Sequence, residues 1–369
     1  MILMDQHNLS TPSYLGFYIH HHGSGHVMRA ITIASSLTGY TICFMGSNLR
    51  PYLDQIPKHI ICIHLPLDIP EENDIQPKPQ ALSFLHYAPI GIAGIRERTA
   101  VLTATFKQYY PMLLVVDVSV EVTLLARLSG IPTVVVRQHG KRIDMPHLHA
   151  YESAELLIAP YAETFALTDE EDWIKAKTIY AGGFSKYSDT KPLSNAQEQP
   201  RHIAILLGQG GTSLNTEFIN HLATTCENYT FHIIGSSAEQ HTLLKHNLIG
   251  HGQLKDPKVV LDQCQIVIGN AGHNTVMEMA DLNKRFICIP EARPFDEQLQ
   301  KADLLAVQGC ARVIYLGDLF AVNWPDELEN AGSTLPNWDG MINPDALQRI
   351  ANAIQDTMNQ VFVSNCPQE

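Results

Sequence analysis

Short β-branched and apolar runs recur along the chain, each followed by a turn signal and then a helical pattern. They fall at Tyr14–Ile19, Thr41–Met45, Ile60–His64, Leu113–Val116, Thr133–Val136 and Leu156–Ala159. After a polar stretch they resume at His202–Leu207, Thr230–Ile234, Gln265–Ile268 and Arg285–Ile289. Continuous apolar strands alternating with helices predict parallel sheets covered on both faces. The chain thus reads as α/β, with two Rossmann-like parallel-sheet domains. The polar segment Ser185–Arg201, with two prolines, marks the boundary: residues 1–190 form an N-terminal domain and residues 201–343 a C-terminal one. Asn343–Pro344 opens a last helix, with Leu347, Ile350 and Ile354 at helical spacing, over residues 344–369. A length of 369 residues agrees with two ordinary cores.

In doubly wound sheets, ligands bind beyond the C-terminal ends of the strands. Two such sheets in tandem predict a central cleft, and the informative residues follow the strands. The first run leads into Gly23-Ser24-Gly25-His26 and a helix. Glycines there let the backbone approach a ligand, and a helix N-terminus offers unpaired N–H groups to an anion. His26 closes the turn, where its ring can face the cleft or simply pack beneath it. Asp117 ends the fourth run, where its carboxylate can orient a histidine ring or cap the next helix. Arg137 and His139, with Gln138, Lys141 and Arg142, form a polar, basic rim after the fifth run.

The second half repeats the arrangement. His202–Leu207 leads into Gly208-Gln209-Gly210-Gly211-Thr212, a candidate phosphate cradle. Gln265–Ile268 opens into Gly269-Asn270-Ala271-Gly272-His273-Asn274-Thr275-Val276-Met277-Glu278. N–H groups from Gly272 to Thr275 can hold a diphosphate, and the Thr275 hydroxyl can add to them. Glu278, one turn on, can accept from a ribose diol. Asp296 and Gln298 can reach sugar hydroxyls. Taken singly, Asn274 and Thr275 could be caps and Glu278 a first-turn dipole partner; their ordered combination favours a ligand site.

Charge narrows the partners. The formal net charge is −13. Lys+Arg minus Asp+Glu gives 15 − 18 = −3 over residues 1–195 and 10 − 20 = −10 over the rest. Neither half carries a nucleic-acid footprint, so an anionic substrate must be held by local devices. The seven cysteines are scattered without a CxxC pair, which reads as buried thiols in a reducing compartment. The first residues lack the basic start and long apolar stretch of a signal peptide, and no run approaches the ~18 apolar residues of a membrane span. The expectation is a cytoplasmic protein with at most peripheral membrane association. The histidines at 20–22 tempt a metal reading. A glycine turn separates His22 from His26, and no acidic residue stands in the loop. His147 and His149 read as solvated, so no metal is expected.

The Asn270–Glu278 stretch, with Asp296-Glu297-Gln298 downstream, resembles the donor-binding segment of GT-B glycosyltransferases. Plant UDP-glycosyltransferases carry His-x-Gly-x-Asn-Ser-x-x-Glu followed by Asp-Gln. The chain also resembles the family 28 transferases, typified by the peptidoglycan lipid-intermediate N-acetylglucosaminyltransferase, in Gly23–His26 and in the glycine turn Gly208–Thr212. The resemblance implies a GT-B fold and a metal-independent, inverting hexosyltransferase that needs no cofactor and takes a nucleotide sugar, a UDP-sugar foremost, as co-substrate. It implies His26 as general base and Asp117 as its partner. Gly210, Gly211, Thr212, Gly272, Asn274 and Thr275 would hold the diphosphate, Leu254 would meet the uracil, Glu278 the ribose, and Asp296 and Gln298 the sugar. Asn270 stands where the family has a pyrophosphate histidine, and His273 is the nearby substitute. Glu297 separates the usual adjacent Asp-Gln pair. Gly23, Ser24, Gly25, Arg137 and His139 are the acceptor-side candidates, for a glycan, lipid or small molecule. The last helix would pack back on the first domain. Competing readings are a nucleotide-sugar hydrolase or hydrolysing 2-epimerase on the same scaffold and a non-catalytic nucleotide-sugar-binding protein. A nicotinamide oxidoreductase fits worse, since the first turn lacks GxGxxG spacing.

Overall fold

The structure is a computed structural model; it describes residues 14–21, 24–75, 82–167, 170–188, 198–208, 211–235 and 245–362. Two parallel sheets form its frame. The first has strands β1 (Tyr14–Tyr18), β2 (Thr41–Gly46), β3 (Ile61–His64), β4 (Met112–Asp117), β5 (Thr133–Val136), β6 (Leu156–Ala159) and β7 (Thr178–Tyr180). Their order is β3-β2-β1-β4-β5-β6-β7. Helices α1 (Gly25–Ser35), α2 (Ala93–Gln108), α3 (Val120–Leu128), α4 (Met145–Ser153) and α5 (Asp172–Lys177) connect them. The second sheet has β8 (Gln199–Leu206), β9 (Thr230–Ile234), β10 (Leu248–Gly252), β11 (Cys264–Gly269), β12 (Arg285–Cys288) and β13 (Arg312–Val313), ordered β10-β9-β8-β11-β12-β13. Its helices are α6 (Thr216–Thr225), α7 (Lys258–Leu261), α8 (His273–Asp281), α9 (Glu297–Val307) and α10 (Trp324–Ser333), and α11 (Ala346–Phe362) ends the described chain.

Both faces of each sheet are buried, which is why these strands read as unbroken apolar runs. In β4, Leu113 and Val115 face one core cluster while Met112, Leu114 and Val116 face the other. In β11, Val267 faces one side and Ile266 and Ile268 the opposite side. Ten strands coincide with the sequence runs. The three without a run are β7, β10 and β13, and all three lie at sheet edges. An edge strand has a neighbour on one side only and needs less apolar sequence; β10 contains two glycines and β13 only two residues.

Helix α11 returns to the first sheet. Ala346, Ile350, Ala351, Ile354 and Met358 join the cluster that contains Leu15 and Phe17 of β1. The return path crosses the outgoing chain at Gly183, whose N–H donates to Met341 O at 2.9 Å. A Cβ at Gly183 would lie 2.4 Å from that same oxygen, so the crossing requires glycine.

Candidate active site between the two sheets

The C-terminal ends of the strands in both sheets face one cleft. On the first-domain side, α1 starts at Gly25, just after Ser24. Gly23 and Gly210 lie outside the described residues. His26, the second residue of α1, turns its ring toward Asp117 at the end of β4, with Nδ1 2.8 Å from Oδ2. Ser119, not Asp117, caps α3, accepting from Val122 N at 3.3 Å. Asp117 is therefore free of a capping duty. Val118 between them has φ 62°, a left-handed conformation that is costly for a β-branched residue and typical of functional turns.

A third residue completes this group. Arg29, one turn along α1, is buried, and its Nη2 donates to both Asp117 oxygens at 2.8 Å. Burial alone would raise the Asp117 carboxyl; the Arg29 guanidinium and the His26 ring override it and hold the group well below the usual carboxylate range. An arginine can only donate, so the ionised Asp117 is the acceptor shared by Arg29 and His26. Arg29 Nη2 also lies 3.1 Å from His26 Nδ1; a neutral ring that donates to Asp117 carries its proton on Nδ1 and leaves Nε2 as the acceptor nitrogen.

On the second-domain side, Gly272 caps α8 and has no side chain to satisfy its first-turn N–H groups. No acidic residue stands in that turn, so the helix end remains receptive to an anion. Asn270 folds back, its Oδ1 accepting from Gly272 N at 3.0 Å. A Cβ at Gly208 would lie 2.5 Å from Asn270 Nδ2, so Gly208 makes room for that fold-back. Asn274 crosses the cleft, its Nδ2 donating to Gly25 O at 3.1 Å. Glu278 is largely buried and pairs with Lys186 at 3.4 Å; burial raises its carboxyl, with Lys186 opposing. A cleft runs between Arg29, Met28 and Thr32 of α1, Ser185–Lys186, and His273, Asn274 and Glu278 of α8.

Several expected ligands are engaged elsewhere. Thr212 Oγ1 donates to Glu291 at 3.0 Å, and Gly211 O accepts from Arg293 at 2.6 Å. Gln298 Oε1 accepts from Ala271 N at 3.1 Å and Glu291 N at 3.0 Å, so it clamps the β11–α8 turn to the end of β12. Asp296 accepts from Lys141 of the other domain at 2.7 Å. Leu254, in the loop after β10, packs partly buried against the second-domain core. His273 is buried and held well below its ordinary value by desolvation and then by Lys301, so it brings no charge to a diphosphate.

Residues 202–339 match the glycosyltransferase family 28 C-terminal domain. Over 368 aligned residues the chain is 23% identical to the UDP-N-acetylglucosamine--N-acetylmuramyl-(pentapeptide) pyrophosphoryl-undecaprenol N-acetylglucosamine transferase of Pasteurella multocida, covering 91% of this chain and 95% of that one. The fold superposes on MurG of Acinetobacter baumannii with a TM-score of 0.61 at 17% identity, over 94% of this chain and 99% of the other. It superposes on the glycotransferase of kitacinnamycin with a TM-score of 0.62 at 13% identity, over 95% and 97%. The chain is a glycosyltransferase whose residues 202–339 carry the family 28 C-terminal domain. Its fold is GT-B.

In this glycosyltransferase the expected basic acceptor rim does not form as such. Arg137 is 5% exposed and pairs with Glu170, with its guanidinium over the Tyr151 ring. His139 is buried against Tyr161, and its Nε2–H donates to Phe165 O at 3.1 Å. Both side chains are buried in the interior. His147 is likewise buried rather than solvated. Its Nδ1 meets Asp144, which also takes His86 Nε2 at 2.6 Å. The ligand atoms of His86, Asp144 and His147 lie within 4.8 Å of one another. Arg142 Nη1 sits 3.0 Å from His147 Nε2, and a guanidinium there opposes a metal cation. Arg29, Glu291 and Lys186 were not singled out in the sequence. Arg29 stands at i+3 from His26, a visible spacing, but its partner is 88 residues away.

Proposed function

We propose that this glycosyltransferase moves a hexosyl group from a UDP-sugar to an acceptor hydroxyl with inversion at the anomeric carbon and without a metal. The observation that carries the reading is the His26–Asp117–Arg29 group facing the open N-terminus of α8 across the cleft. His26 Nε2 removes the acceptor proton while the acceptor oxygen bonds to the anomeric carbon. The bond from that carbon to the diphosphate oxygen breaks, and the electron pair leaves with the diphosphate. First-turn N–H groups of α8 and its dipole stabilise that charge. Asp117 keeps the ring in the correct tautomer and stabilises the imidazolium. Glu278 binds the ribose. The choice of uridine follows the relatives, which are named as UDP-N-acetylglucosamine transferases.

The acceptor carries an apolar part. Ile69, Ile75, Phe84, Tyr87 and Ile90 are exposed along one segment on the first-domain side. Glu121 accepts from the N–H groups of His86 and Tyr87 at 2.7 and 2.9 Å and anchors that segment beside α3. Among the described residues no helix is long and apolar enough to cross a membrane.

The test is thermal stabilisation by UDP, dTDP and GDP, repeated with Glu278→Ala. A ligand at about 100 times its Kd adds roughly 2.7 kcal/mol. Selective stabilisation by UDP, lost in the variant, supports the donor site; no response to any of the three removes it. His26→Ala should bind UDP normally and lose most turnover, and normal turnover would exclude His26 as the base.

A further inference from the structure

Three consecutive residues of the second domain, Phe295, Asp296 and Glu297, meet Lys141 and Arg142 of the first. Lys141 N donates to Phe295 O at 2.7 Å, and Lys141 Nζ donates to Asp296 Oδ2 at 2.7 Å. Arg142 reaches the Glu297 carboxylate at 3.5 Å. The two chains are in close contact: a Cβ at Gly140 would lie 2.8 Å from Phe295 O and 3.3 Å from Glu297 Cα. Phe295 and Asp296 have φ of 61° and 55°. The left-handed region is costly for an aromatic residue, and such a conformation persists only where surrounding contacts hold it.

A cage on the first domain holds the Phe295 ring. Its centre lies 4.7 Å from that of the His147 ring, at an interplanar angle of 85°, and 5.1 Å from that of the His86 ring. The central carbon of the Arg142 guanidinium stands 4.9 Å from the same ring centre, within cation–π range. Arg142 and His147 are buried and His86 is exposed, so the cage reaches from the interior to the surface.

Hydrogen bonds join the cage members in one direction. Arg142 can only donate, so His147 Nε2, 3.0 Å from Nη1, accepts and the ring carries its proton on Nδ1. Nδ1–H donates to Asp144 Oδ1. Asp144 stands at the N-cap of α4 and makes no cap bond there. Its other oxygen instead accepts from His86 Nε2 at 2.6 Å. His86 belongs to the exposed apolar segment with Phe84, Tyr87 and Ile90, where Glu121 holds the N–H groups of His86 and Tyr87. At the other end, Gln298 in the first turn of α9 is bonded to the turn that starts α8. A continuous series of contacts therefore runs from the head of α8, through Phe295 and its cage, to the exposed segment.

We propose that Phe295 is a latch between the domains: seated in the cage of His86, His147 and Arg142 it holds the cleft closed, and when it leaves, the segment around Phe84 and Tyr87 loosens with it. The two-state element is the seating of one ring, which groups of both domains bias. Under the transferase reading, on which this consequence alone rests, the segment that meets the acceptor is in place only when the donor domain has closed on it.

The experiment is amide hydrogen exchange of the whole, ligand-free chain in the wild type and Phe295→Ala. It is read at Lys141, whose N–H bonds to Phe295 O, and at His86 and Tyr87. In the variant all three amides should exchange about tenfold faster, equivalent to roughly 1.4 kcal/mol, while amides of the central strands β4 and β11 keep their rates. A Lys141 amide that is unprotected in the wild type, or unchanged in the variant, overturns the latch. Faster exchange at Lys141 with His86 and Tyr87 unchanged overturns its link to the segment. Equal acceleration in β4 and β11 makes Phe295 an ordinary packing residue and also overturns it. Lys141→Met keeps the test decisive if Phe295→Ala does not fold. It removes the ion pair to Asp296 and leaves the ring, so the amides at 141, 86 and 87 should accelerate together, and movement on one side alone overturns the coupling. None of these readouts uses a nucleotide, so failure of the latch leaves the transferase reading standing, and a chain that binds no UDP leaves the latch standing.

Discussion

Arg29 and Asp117 meet across the first domain with the guanidinium Nη2 2.8 Å from each carboxylate oxygen. Because His26 shares one of those oxygens, the pair does two things at once. It keeps a buried carboxylate ionised, and it sets the tautomer of the ring beside the cleft.

Replacing Asp117 by Asn should lower turnover by about 10²–10⁴, because the ring loses its anionic partner and its orientation. UDP-induced stabilisation should be unchanged, since α8 holds the diphosphate. Loss of UDP binding together with activity would show that Asp117 supports the fold of the cleft instead.

Arg29→Met leaves the Asp117 charge buried without its main counter-ion. Breaking such a pair costs about 3–5 kcal/mol, measurable by urea denaturation at pH 7. The Asp117 carboxyl is depressed in the folded state, so its stabilising share is complete above roughly pH 4 and is lost as pH falls further. The double variant Arg29→Met/Asp117→Asn should recover part of the loss, and an additive double variant would refute the pairing.

Three histidines on adjacent strands of the second sheet form a hydrogen-bonded ladder. His202 Nδ1 lies 2.9 Å from His232 Nε2, and His232 Nδ1 lies 2.9 Å from His251 Nε2. Burial first, then His251 and His202, push the His232 ring down to about 4. The unfolded chain therefore binds more protons than the folded one between about pH 6.5 and 4, and stability falls as pH is lowered through that window. Denaturant midpoints at pH 7 and 5 should differ less in His232→Phe than in the wild type. An equal pH dependence in both proteins would contradict this.

Gly208→Ala places a methyl where the Asn270 amide now sits. Asn270 must move, and its hold on Gly272 N at the head of α8 goes with it. UDP affinity should fall by about tenfold, or roughly 1.4 kcal/mol, with the fold retained by circular dichroism. Unchanged UDP affinity would show that the α8 turn keeps its shape without Asn270.

The two α/β units could be recognised from the sequence because a strand buried on both faces must be a continuous apolar run, and that signal is local. The turn from Gly269 to Glu278 was readable for the same reason: one strand end, one glycine turn and one helix place all its groups within ten residues. Edge strands β7, β10 and β13 escaped because they need little apolar sequence. What only the tertiary structure decided is which strand ends meet. It brought Arg29 to Asp117, turned Arg137 and His139 inward, and gave Gln298 to backbone N–H groups. Each of these depends on side chains far apart in the chain, and distance in space between such residues is set by the packing of both sheets rather than by any local pattern of residues.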